Sequence, residues 1–202
     1  DETIATQYPD AEAIWYSWIN LDFITGQLVR DPSDTGILPA LLGSVYMMAV
    51  VILVSFPLGV GAAIYLNEYA TDNWFNRIIE TNIRNLAGVP SIIYGMLGLA
   101  IFVRGLESIT SGSAFGGDGD TGRTILSAGL TLALLILPII IIASQEALRA
   151  VPNTIREASY GLGATRWQTI SKQVLPYGMP GILTGTILAL SRAVGESAPL
   201  IV

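Results

Sequence analysis

Arg192 and Glu196 lie four residues apart in the last apolar run of the chain, Gly178 to Val202. A guanidinium stays charged at any physiological pH and can hold two oxygens of an oxyanion at once. A carboxylate one helical turn away partly neutralises it, so that a bound anion can leave again. From Gly181 to Ser191 there is no charge. At the helical rise that stretch carries Arg192 roughly 16 Å into a hydrocarbon layer about 30 Å thick, near its middle. A charge at that depth costs a few kcal/mol or more unless it faces a partner or a wet cavity, so the residue points to a transport path. The competing reading is an ion pair that merely locks two helices. Ser91 and Tyr94 are further candidates to line the passage, although support of a kinked helix start is the favoured role for Ser91.

Composition decides which elements can position such a pair. Hydrophobic residues make up 51% of the 202 residues, charged residues only 13%, and the mean hydropathy is +0.57. Those values exceed an ordinary soluble domain and suit a polytopic membrane protein. The absence of cysteine removes disulfides, thiolate metal sites and thiol catalysis; the absence of histidine removes the commonest general base and metal ligand. No catalytic residue, metal site or cofactor is expected. The net charge of −6 comes largely from the first 36 residues, where seven acids face only Arg30, and nucleic acid is an unsuitable partner. The chain starts at Asp1 in a polar segment and stops inside an apolar run, so a fragment lacking a membrane helix at each end is expected.

Four spans are expected, at about 37–66, 86–103, 125–144 and 178–202, with Pro39, Pro57, Pro90 and Pro138 as kinks that neighbouring helices can tolerate. Glycine pairs (Gly59 and Gly61, Gly95 and Gly98, Gly181 and Gly185) suit close helix approach. The Ser111–Asp120 run is a flexible loop by composition, and its aspartates do not have EF-hand spacing. Alternation places 1–36 and 104–124 on one side and 67–85 and 145–177 on the other. The first side holds Arg30, Arg104 and Arg123, the second Arg77, Arg84, Arg149, Arg156, Arg166 and Lys172. The positive-inside rule makes the second side cytoplasmic and the acidic segment 1–36 extracytoplasmic.

Residues 145–177 carry two short amphipathic helices. Pro152 suits a first helical turn, and Val151, Ile155, Ala158 and Leu162 form one apolar stripe. Gly161 and Gly163 break that helix. Thr165 is a plausible N-cap for the second, in which Trp167, Ile170 and Val174 share a face and Pro176 is the stop. Glu157-Ala158-Ser159, then Gly163, then Leu175-Pro176 resembles the EAA loop of ABC-importer permeases, with Ser159 for the second alanine and Gln173 for the isoleucine. The Leu190-Ser191-Arg192-Ala193-Val194-Gly195-Glu196-Ser197-Ala198-Pro199-Leu200 segment is similar to the fifth membrane helix of phosphate-importer permeases. Ala87 to Gly95, Gly36 to Pro39 and Pro57 to Leu66 also resemble those permeases, and the Glu-Ser-Ala-Pro-Leu run points to the PstA type rather than its PstC-type partner.

That resemblance covers residues 36–202. It implies an all-α, polytopic transmembrane bundle of the type I, MetI-like permease class, part of a six-helix subunit in a bacterial or archaeal cell membrane. Glu157, Ala158, Gly163, Leu175 and Pro176 would form the ATPase-coupling loop. Expected partners are an ATP-binding subunit, a PstC-type second permease, an extracytoplasmic phosphate-binding protein and membrane lipid. The chain itself lacks a phosphate-cradling loop, since its only lysine, Lys172, follows no glycine-rich turn. ATP hydrolysis would therefore fall to a partner. The alternatives are the same architecture carrying sulfate or molybdate, a channel or secondary transporter, and a membrane scaffold without a passage.

Overall fold

A computed structural model of the chain describes residues 21–27, 36–111 and 122–196. Most of the acidic segment, the core of the Ser111–Asp120 loop and residues 197–202 lie outside these, and with them the expectations placed there. Two compact units are distinguished, Asp1–Ser44 and Val45–Val202. In the first unit α1 is a single turn, Leu21–Thr25. Its Phe23 carbonyl accepts from the Ile37 N–H at 2.9 Å, folding the chain back just before α2.

The helix α2, Leu38–Ile64, continues through a π-helical turn, Tyr65–Tyr69, to make a 32-residue apolar helix, long enough to cross a bilayer. The stretch expected to be a connection, 67–85, instead contains a helix, α3, Trp74–Ala87. The second span therefore does not run unbroken from residue 86 to 103. Pro90 has no N–H to donate and forces Val89 out of the helical region, so the chain turns by 103° before α4, Ser91–Gly98. A π-helical turn, Leu99–Gly105, and a short α5, Glu107–Thr110, follow.

The helix α6, Ile125–Arg149, starts from a reciprocal cap: Ser127 N–H donates to Thr124 Oγ1 at 3.3 Å and Thr124 N–H to Ser127 Oγ at 3.0 Å. It passes the expected end at residue 144 by more than a turn. After α7, Asn153–Gly161, and α8, Arg166–Thr169, comes a third π-helical turn, Ile170–Val174, and then α9, Leu175–Gly195. Together Arg166–Gly195 form one helix of 30 residues, so the fourth span neither begins at Gly178 nor follows a stop at Pro176. Pro176 lies in the first turn of α9, directly after a turn whose ladder is already shifted, and its missing N–H is cheap there.

Within the second unit α6 is the centre. Its Leu132, Ile136 and Ile140 are fully buried with Val51 of α2, Tyr94 of α4 and Ala189 and Ala193 of α9. A second cluster joins Leu148 and Val151 to Val60, Ala63, Val174 and Ile182. Against lipid, such packing depends on close fit more than on removal from water. Gly181 and Gly185 meet Ala147 and Ala143 so closely that a Cβ at Gly185 would lie 2.5 Å from the Ala143 Cβ. The outward side of the same helices is apolar, with Leu53 74% and Leu188 67% exposed, as lipid contact requires.

Candidate functional site

Arg192 occupies the last turn of α9, and Glu196 lies just beyond it with extended backbone (φ −91°, ψ 97°). The expected pair exists: Arg192 Nε donates to Glu196 Oε1 at 3.4 Å, with the side chains 47% and 22% exposed. Its setting differs from expectation, because Glu196 stands outside the helix and Arg192 sits at the described helix end. There the partial negative charge of the carbonyl terminus favours a cation. The long bond uses only Nε. Among the described residues the two Nη groups make no hydrogen bond, leaving the fork free for two anion oxygens. Among the described residues, Arg192 is also the one charged group in a cleft of about 370 Å³ otherwise walled by Ala87, Ile139, Ile142, Ala143, Leu188 and Ala189.

Tyr94 packs in the same cluster as Ala189 and Ala193, one helical turn and one residue from Arg192. Its hydroxyl is already engaged, donating to the Leu86 carbonyl at 2.8 Å across the α3–α4 bend. Ser91 is half-buried in the first turn of α4, the kinked helix start favoured for it.

Of the coupling-loop candidates, Glu157, Ala158 and Gly163 lie in the hairpin of α7 and α8, whereas Leu175 and Pro176 lie in the first turn of α9. Gly163 has φ +82°, a conformation that costs an L side chain dearly, and lies between the end of α7 and the start of α8. Thr165 is the N-cap: Gln168 N–H donates to Thr165 Oγ1 at 3.3 Å and Thr165 N–H to Gln168 Oε1 at 2.9 Å. Pro152 precedes the first turn of α7 rather than lying in it. Glu157, Ala158 and Pro176 are exposed, whereas Leu175 is half-buried against the second core cluster. The apolar stripe divides: Val151 is buried and Ile155 packs beside it, but Leu162 is 90% exposed. Trp167 does not share the buried face of Ile170 and Val174; it points outward, 61% exposed. A cleft of about 530 Å³ between the arms is walled by Ile155, Ala158, Leu162 and Gln168 among others.

Sequence reasoning missed Arg156. Its guanidinium reaches Glu68 at 2.8 Å and donates to the Leu148 and Val151 carbonyls at 2.9 and 2.7 Å, bracing the chain where α6 ends. The partners are 88 residues apart, so no local spacing could announce them.

The family of binding-protein-dependent transport system inner membrane components matches residues 55–201. Relatives include the probable ABC transporter permease protein YqgH of Bacillus subtilis, 35% identical over 88% of this chain and 56% of its own length. The phosphate transport system permease protein PstA 1 of Mycobacterium tuberculosis is 39% identical over 83% of this chain and 50% of its own. PstC of Pasteurella multocida is 35% identical over 80% and 54%. The chain thus spans about half the length of the curated relatives it matches. Among solved structures, an inward-facing MetNI methionine ABC transporter chain superposes with a TM-score of 0.57 at 20% identity, covering 81% of this chain and 70% of that one.

Proposed function

Because this chain belongs to the family of binding-protein-dependent transport system inner membrane components, we propose that it forms the passage of an ATP-driven phosphate importer and couples that passage to a separate ATPase subunit. The family is one of transport permeases rather than catalytic subunits, and the fold is that of a type I ABC importer. What supports the coupling is the continuity of Arg166–Gly195. One unbroken helix carries both the second arm of the exposed hairpin and Arg192, which are about 39 Å apart at the helical rise. A displacement of the hairpin by a docked ATPase therefore moves the helix that presents the guanidinium.

A tetrahedral oxyanion suits the Nη groups that Arg192 leaves unengaged, and among such anions phosphate is favoured by relatives named as phosphate permeases of both PstA and PstC types. The PstA assignment rests on the Glu196-Ser197-Ala198-Pro199-Leu200 run. A PstC-type second permease, an extracytoplasmic phosphate-binding protein and a bacterial or archaeal inner-membrane location complete the reading. Arg192, Glu196, Tyr94 and Ser91 would flank the passage; Glu157, Ala158, Gly163, Leu175 and Pro176 would form the ATPase-coupling loop. The test is to purify the complex that carries this chain, ask whether an ATP-binding subunit comes with it, and measure ATP-dependent uptake of labelled phosphate into proteoliposomes. Excess sulfate or molybdate should compete poorly. Uptake that follows sulfate or molybdate instead would move the substrate to another oxyanion.

A further inference from the structure

The end of α2 is tied to both arms of the hairpin. Glu68 and Arg156 make the shortest ion pair among the described residues, 2.8 Å, with side chains 7% and 15% exposed. Its hydrogen-bonding capacity is well used, since Glu68 Oε1 also accepts from Asn67 Nδ2 at 2.9 Å while Arg156 serves the carbonyls of Leu148 in α6 and of Val151 just past it. One residue on, the Tyr69 ring lies 5.6 Å from the guanidinium carbon of Arg166, the first residue of α8, a cation–π distance. Glu68 thus holds α7 and Tyr69 holds α8. The Ser159 and Thr169 hydroxyls, 2.9 Å apart, join the two arms to each other.

A buried charge stripped of its partner is costly, so Glu68 and Arg156 stay together when either element shifts. Glu68 and Tyr69 lie in the Tyr65–Tyr69 π-helical turn that continues α2, an irregular stretch of ladder of the kind often found at functional sites, and one able to take up a change of register without breaking the helix. We infer that Glu68 and Tyr69 are positioning residues for coupling, which transmit displacement of the hairpin to the first membrane span. The inference rests on the permease reading above and deepens it: two spans, α2 through this grip and α9 through helix continuity, are driven from one docking site. Neither residue touches the transported anion.

The test uses the assembled complex in proteoliposomes, with phosphate uptake and ATP hydrolysis measured in the same vesicles. Glu68→Gln removes the charge but keeps an oxygen acceptor; Tyr69→Leu removes the ring and Tyr69→Phe keeps it. The expected result is retained ATPase association and hydrolysis in Glu68→Gln and Tyr69→Leu, with uptake per ATP hydrolysed lowered about tenfold, and Tyr69→Phe near wild type. A purely structural role would lower the amount of complex and leave that ratio unchanged. Should Glu68→Gln not assemble, the half-buried Tyr69 pair of variants decides on the same ratio. An unchanged ratio in Tyr69→Leu, or in both variants, with a working wild type overturns the inference alone. A wild-type complex without ATP-dependent uptake overturns the permease reading and this inference with it.

Discussion

At the scale of single residues, several polar side chains in the helices find their partners in backbone carbonyls. Arg156 donates to the Leu148 and Val151 carbonyls where α6 ends, and Ser55 and Thr186 return their hydroxyls to the Val51 and Ile182 carbonyls at 2.6 and 2.7 Å. Tyr94 is the clearest case, because its phenol reaches the Leu86 carbonyl over the bend that Pro90 imposes. Removing that donor with Tyr94→Phe keeps the ring in its cluster and deletes only the bond. The expected cost is about 1 kcal/mol of stability, read as a lower thermal midpoint of the purified complex in detergent. Uptake should be kept, since the hydroxyl is engaged in bracing and not directed to an anion. An unchanged midpoint with lost uptake would instead place the hydroxyl in the passage.

At the scale of elements, the hairpin depends on one backbone conformation. The Gly163 N–H donates to the Tyr160 carbonyl at 2.9 Å and the Ala164 N–H to that of Ser159 at 3.2 Å, closing α7 around a left-handed residue. A β-branched side chain is strained there by about 1–2 kcal/mol or more. Gly163→Val should therefore misplace the docking arms while the spans still insert. ATPase association and uptake are expected to fall together, and normal ATP hydrolysis stimulated by transport in the reconstituted mutant would contradict the role. These local signals were legible in the sequence: the glycine break, the Thr165 cap and the apolar length of α2 each rest on neighbours in the chain. The continuous Arg166–Gly195 helix was not, because Pro176 reads as a stop unless the π-helical turn before it is known. The amphipathic α3 was read as a connection since its Arg77, Glu80 and Arg84 mask the face formed by Ile79 and Ile83. Glu68 with Arg156, and the outward turn of Trp167, are products of tertiary packing that no spacing encodes.

At the scale of the whole molecule, the proposed reading implies a direction across the membrane, with the hairpin on the cytoplasmic side. The chain has no native cysteine, so single introduced thiols report sidedness cleanly. A cysteine at Ser113 should react with a membrane-impermeant reagent in intact cells, and one at Thr165 only after permeabilisation. The reverse pattern would invert the topology and remove the hairpin from reach of a cytoplasmic ATPase. The central claim is that Arg192 serves the transported anion and that its pairing with Glu196 is not merely a lock between structural parts. An arginine removed from a structural pair strands its carboxylate, whereas removal of both partners relieves that cost. The decisive measurement is ATP-dependent phosphate uptake by the Arg192→Ala, Glu196→Ala double variant, normalised to its abundance in the membrane. The account predicts normal abundance with uptake absent; recovery of both abundance and much of the uptake would contradict it.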